Sequence, residues 1–134
     1  MKIVTRMIED ELYESSTSDG ILDTIDMRAL PIKKSMSPVE SLLSAVAACG
    51  AVDIVVMLKK RKKTIQAFTI ETEGKRRENP PRSFTDIHCK YIIVSPDVQE
   101  EEFEKTARLS LEKYCSVADS LKATITFSIE IKRP

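Results

Sequence analysis

Three thiols, Cys49, Cys89 and Cys115, are the side chains of this sequence best suited to covalent chemistry. A thiolate can attack an O–O or S–S bond, and two thiols that meet can close a disulfide. Cys49 lies within a long apolar run and Cys115 near the end of a second segment with helical spacing. Each has two readings. Free cysteines are commonly small buried hydrophobes; alternatively, one is a nucleophile and the other its disulfide partner. Reactivity needs a lowered pKa, hence a cation, a helix N-terminus or a hydrogen-bond donor at the sulfur. Glu112 to Asp119 reads as a break with a new short helix starting at Cys115, which would supply the second of these. His88, the single histidine, adjoins Cys89 but has no C-x-x-C or H-x-x-x-H partners, so it reads as a half-exposed strand residue and no metal site is expected.

The elements that must position these thiols can be read from periodicity. Residues 2–14 mix apolar and charged side chains and read as strand, Ser18-Asp19-Gly20 as a hairpin turn, and residues 21–26 as the returning strand. Met27 to Met36 has no period and carries Pro31, a loop. Ser37-Pro38-Val39-Glu40 has the N-cap, first-position proline and capping-box glutamate of a helix start. From Leu42 to Leu58 the chain is apolar nearly all round, with Ser44 and Asp53 as breaks, and it ends in the cations Lys59 to Lys63. The run is short for a membrane span, and Asp53 near its middle would be costly in lipid. A helix apolar on every side must be covered on every side. In so small a protein that requires a second copy of the chain.

Beyond this helix, Ile65 to Glu73 and Phe84 to Val94 alternate as strands around a polar loop with Pro80-Pro81. Phe103, Ala107, Leu111, Tyr114 and Cys115 recur at helical spacing, and Thr124 to Lys132 alternates cleanly as a last strand. The order βββ-α-ββ-α-β, with hairpins rather than crossovers, indicates an α+β fold with largely antiparallel sheet in one domain over residues 1–134.

Composition narrows the function. The 134 residues carry 21 Lys+Arg against 21 Asp+Glu, which argues against a nucleic-acid-binding face. Three cysteines are too few for a secreted disulfide scaffold, and Arg6, Glu9 and Asp10 interrupt any N-terminal apolar run, so no signal peptide is visible. The expected location is the cytoplasm, with thiols reduced and no membrane association.

Ser37-Pro38-Val39-Glu40-Ser41-Leu42-Leu43, running on to Ala47-Ala48-Cys49-Gly50, resembles the OsmC/Ohr family of cysteine-dependent hydroperoxide reductases, which share peroxiredoxin-like chemistry. Ala51 to Lys60, Pro80 to Ile87 and Leu109 to Val117 extend the resemblance, in the family's order, over nearly the whole chain. Glu40 stands one place after Val39, and Asp53 four places after Cys49, as in the less characterised OsmC-like branch. The resemblance implies an OsmC-like intertwined homodimer with a long central apolar helix and antiparallel sheets. It implies that Cys49 attacks a hydroperoxide to give a sulfenic acid, that Cys115 condenses with it, and that an external thiol reductant restores both without a bound cofactor. Glu40 and an activating arginine complete the implied site. Arg28 is the nearest match for that arginine, with Arg6 behind it. Nine residues of straight helix separate Glu40 from Cys49, about 13 Å of rise, so a contact would come across the dimer. The other role for Glu40 is the capping box with Ser37. Asp53 reads as a carboxylate paired or bonded to backbone, and Cys89, outside the motifs, as a core strand residue.

A second functional class is a non-catalytic small-molecule-binding dimer. Lys59 to Lys63, Lys75, Arg76, Arg77 and Arg82 could receive a phosphate-bearing thiol such as coenzyme A; the plainer reading is a solvated helix end and a soluble loop.

Overall fold

The computed structural model describes residues 1–134. Its elements are β1 (Ile3–Glu9), β2 (Leu12–Thr17), β3 (Leu22–Asp26), α1 (Pro38–Lys60), β4 (Ala67–Arg76), β5 (Phe84–Val94), α2 (Glu100–Leu109), a π-helical turn (Ser110–Tyr114), α3 (Ser116–Asp119) and β6 (Thr124–Lys132). The fold is mixed α+β with two three-stranded sheets, ordered β1-β2-β3 and β4-β5-β6. The chain divides into two compact units, Met1–Leu42 and Leu43–Pro134, the boundary falling inside α1.

In the first unit the strand expected over residues 2–14 is two strands. The chain reverses at Asp10-Glu11, where Glu11 takes φ 62° and the β1–β2 register shifts between Met7 and Glu9. A glutamate in the left-handed region carries no Asn-Gly or Asp-Gly signature, which is why the turn is silent in the sequence. The Asp19-Gly20 turn joins β2 to β3, with Gly20 at φ 85°. All of β1 is exposed, and Asp26 is the only buried side chain of the unit. Asp26 accepts hydrogen bonds from Arg28 Nε and Nη2 (both 2.9 Å) and from the backbone N–H groups of Arg28 (3.0 Å) and Lys34 (2.8 Å). Its Arg28 partner holds this carboxyl well below the usual range despite burial. A charged knot, not apolar packing, ties the loop after β3.

The second unit has a conventional core. β5 is its central strand, antiparallel to β4 from Ala67↔Val94 to Arg76↔Phe84 and parallel to β6 from Asp86↔Thr124 to Val94↔Lys132. Hairpins therefore make only part of the topology. The last link is a crossover through α2, the connection a parallel neighbour requires. Ile87, Cys89, Tyr91 and Ile93 alternate inward from β5 and pack with Val46, Ile54 and Leu58 of α1 and Phe103 and Ala107 of α2.

Ser37 and Glu40 close the capping box of α1: Ser37 N–H donates to Glu40 Oε1 (2.9 Å) and Glu40 N–H to Ser37 Oγ (3.4 Å). The helix buries one stripe, Val46, Gly50, Ile54 and Leu58, while Val52 and Val56 are 62% and 45% exposed. By length and composition α1 could cross a membrane. However, one face is committed to a protein core and Asp53 lies near its middle, where lipid penalises a carboxylate.

Candidate active site

Cys49 is half-buried on α1, immediately before Gly50 of the buried stripe. Cys115 reaches it by an unusual route. α2 widens into the π-helical turn, and Cys115 N–H donates to Ser110 O at 2.7 Å, a five-residue step. Such an insertion rotates the downstream chain relative to the preceding helix, and π-turns concentrate at functional sites. Within this turn the buried Ser110 hydroxyl donates to Gly50 O (2.9 Å), stitching the segment that carries Cys115 to the helix that carries Cys49. Cys115 then caps α3, its Sγ accepting from Ala118 N–H at 3.4 Å, so the short helix starts at the thiol.

The two thiols are neighbours. Burial pushes Cys115 up to about 11, with the adjoining Cys49 adding to the rise and the Ala118 and Val117 amides opposing it. At neutral pH Cys115 is therefore a thiol.

Beneath them lies Tyr91, fully buried on β5. A methyl on Gly50 would meet the Tyr91 hydroxyl at 2.8 Å, so glycine at this point of α1 is what lets the phenol seat there. That hydroxyl has no oxygen or nitrogen partner, nor has Thr72 Oγ1 on β4; the Cys89 thiol is the group on which both hydroxyls bear. Burial raises the Tyr91 pKa, and Cys89, Cys115 and Cys49 all push the same way. Burial likewise raises Cys89, against the pull of the Thr72 and Tyr91 hydroxyls. All three thiols thus act on one phenol. Cys89 and Tyr91, two residues apart on an alternating strand, share one face, but a core face has the same alternation, and nothing in the sequence marks Tyr91 as part of a site.

The residue 32–130 segment matches the family model described as OsmC-like protein. The chain belongs to the OsmC-like family. It is 36% identical over 100 residues to Protein YhfA of Escherichia coli K12, covering 73% of this chain and 75% of that one. It is 26% identical over 131 residues to a protein named hydroperoxide reductase from Mycoplasma genitalium, covering 96% and 92%. The crystal structure of an OsmC-like protein from Mycoplasma pneumoniae superposes with a TM-score of 0.79 at 23% identity, covering 98% of this chain and 95% of that one, and so shares the fold.

In this OsmC-like chain the other expected site residues have defined places. Glu40 is engaged in the cap and lies 3.3 Å from Lys33 Nζ; the Ser37 N–H, more than any other group, holds its carboxyl at about 2. Arg28 donates to Asp26 and, at 3.1 Å, to Glu9, and Arg6 pairs with Glu14 at 3.0 Å. Asp53, expected to be bonded or paired, is half-buried and takes part in no salt bridge. The basic run after α1 is partly neutralised. Arg61 and Lys63 face Glu102 at 3.8 and 3.2 Å, and Lys63 donates to Asp97 O. Arg76 donates to Arg82 O. His88 bridges two hydroxyls of β6, Thr126 Oγ1 (2.7 Å) and Ser128 Oγ (3.0 Å).

Proposed function

We propose that this protein is a homodimeric thiol-dependent peroxidase that reduces organic hydroperoxides or hydrogen peroxide. The observation that carries the reading is the adjacency of half-exposed Cys49 and buried, protonated Cys115. The Cys49 thiolate attacks one peroxide oxygen; an S–O bond forms, the O–O bond breaks, and the leaving alkoxide or hydroxide takes up a proton. Cys115 then attacks the sulfenic sulfur; the S–S bond forms, the S–O bond breaks, and its oxygen leaves as water with the thiol proton. An external thiol reductant, of which no part need be bound between turnovers, returns the disulfide to two thiols, as a reducing compartment such as the cytoplasm allows. The hydroperoxide reductase name of the Mycoplasma genitalium relative supports the same chemistry.

A second copy of the chain is the natural cover for α1 and for the first sheet. Most of the helix's apolar surface is unburied, and β1 presents Ile3, Val4 and Met7 to solvent. Exposed apolar area of this kind marks a protein interface. Arg28 and Glu40 are the residues proposed to complete the site in the assembled dimer.

The test is peroxide consumption by the reduced protein. One pair of thiols should disappear per peroxide in a stopped-flow experiment, and Cys49→Ser should abolish consumption. An unchanged rate in that variant refutes the assignment.

A further inference from the structure

Two hydroxyls of the thiol cluster, Tyr91 and Thr72, have no oxygen or nitrogen partner, and of these Tyr91 is the one set against the helix that carries Cys49. Buried polar groups are almost always partnered, and leaving a donor unpaired is costly. Here the cost is built in: α1 omits a side chain at Gly50 to admit the phenol, and Ser110, the other hydroxyl near that point, is occupied by Gly50 O. The phenol therefore lies against the backbone of the residue next after Cys49, with a proton to donate and no oxygen or nitrogen to receive it.

A resting thiol is a weak acceptor. A thiolate, or the oxygen of a sulfenic acid, is a strong one, and hydrogen bonds to charged acceptors are roughly twice as strong as neutral ones. We propose that Tyr91 is a catalytic residue whose hydroxyl donates a hydrogen bond to the Cys49 sulfur as it ionises and to the oxygen that sulfur carries after oxidation. The proposal rests on the peroxidase reading. Tyr91 keeps its proton throughout, and the S–O, O–O and S–S bonds form and break as in that reaction. A hydrogen bond donated in this way favours the charged form of the sulfur, as a cation would. The groups facing the phenol are Cys89 from its own strand, Cys115 from the start of α3 and Cys49 from α1; all three disfavour its ionisation, so it remains a donor through the working pH range.

Tyr91→Phe removes the hydroxyl and keeps the ring between Phe68 and Phe127, 6.0 and 6.3 Å away between centroids. Two readouts apply. Sulfenic acid formation with peroxide should slow about tenfold to a hundredfold, the usual range for losing a hydrogen bond to a charged group. In a Cys89→Ala, Cys115→Ala background, where Cys49 alone reports and no new acceptor faces the phenol, the pH midpoint of iodoacetamide alkylation should rise by about one unit. The melting temperature should hold or rise, because an unpartnered buried group is gone. Unchanged oxidation rate and midpoint overturn the proposal. If Tyr91→Phe instead unfolds, 3-fluorotyrosine at the same position decides: a stronger donor of similar size lowers the alkylation midpoint, and no shift overturns the inference. Alkylation needs no peroxide, so a protein inert to peroxide whose midpoint still moves with Tyr91 would sink the peroxidase reading, while an active protein with an unmoved midpoint would sink only the role of Tyr91.

Discussion

Gly50→Ala tests the packing of the thiol cluster. In an unstrained helix interior, alanine is favoured over glycine by about 1 kcal/mol. Here the new methyl would stand 2.8 Å from the Tyr91 hydroxyl and 3.7 Å from its ring carbon Cζ. The first contact is well inside van der Waals distance and the second is ordinary. The ring is fully buried between two others, so the hydroxyl cannot swing away freely, and overpacking of this kind costs about 1–3 kcal/mol. The single variant should range from neutral to about 2 kcal/mol less stable. With Tyr91→Phe the offending atom is absent, and the same substitution should be neutral or stabilising by up to about 1 kcal/mol. The two effects of Gly50→Ala should thus differ by about 1–3 kcal/mol, a coupling readable by urea denaturation in a double-mutant cycle at fixed protein concentration. Equal effects in both backgrounds, within about 0.5 kcal/mol, would refute the contact between α1 and the phenol and with it the site geometry.

Other perturbations address separate parts of the molecule. Cys115→Ser should leave a single round of peroxide reduction intact but accumulate a Cys49 sulfenic acid trappable by dimedone; rapid further turnover with a thiol reductant would argue against a resolving role. Phe103→Ala empties a fully buried site and should cost about 3–5 kcal/mol in urea unfolding. Val52→Glu with Val56→Glu places charge on the uncovered face of α1 and should convert a dimer to monomer by sedimentation, an unchanged mass contradicting the interface. Glu40 has a folded-state pKa near 2 against an ordinary 4.5, so its stabilisation is full above about 4.5 and fades as pH falls toward 2; Glu40→Gln should flatten the pH dependence of unfolding over that interval.

The long helix and the later strands were legible because each has a local signature: the Ser37–Glu40 box and the alternations of β5 and β6. The break before Cys115 marked a helix starting at that thiol, whereas its pairing with Cys49 has no local signature and was implied only by the family resemblance. Other features have no such signature. Glu11 turns the chain in a conformation that glutamate seldom adopts. The parallel pairing of β6 with β5 depends on α2 crossing the sheet, which no local window contains. The π-turn at Ser110–Tyr114 is a one-residue change in helical pitch invisible to periodicity, yet it brings Cys115 round to Cys49. Tyr91 read as one more inward residue of β5, because a buried phenol and a phenol poised beside thiols occupy the same alternating position.

Peptide mapping of the reduced protein after one equivalent of hydroperoxide distinguishes a working thiol pair from inert core thiols. Two hydrogens should be lost per chain and a single cross-linked peptide should join Cys49 to Cys115, with Cys89 still free. Oxidation that leaves Cys49 and Cys115 as separate thiols, or that falls first on Cys89, would contradict that pairing.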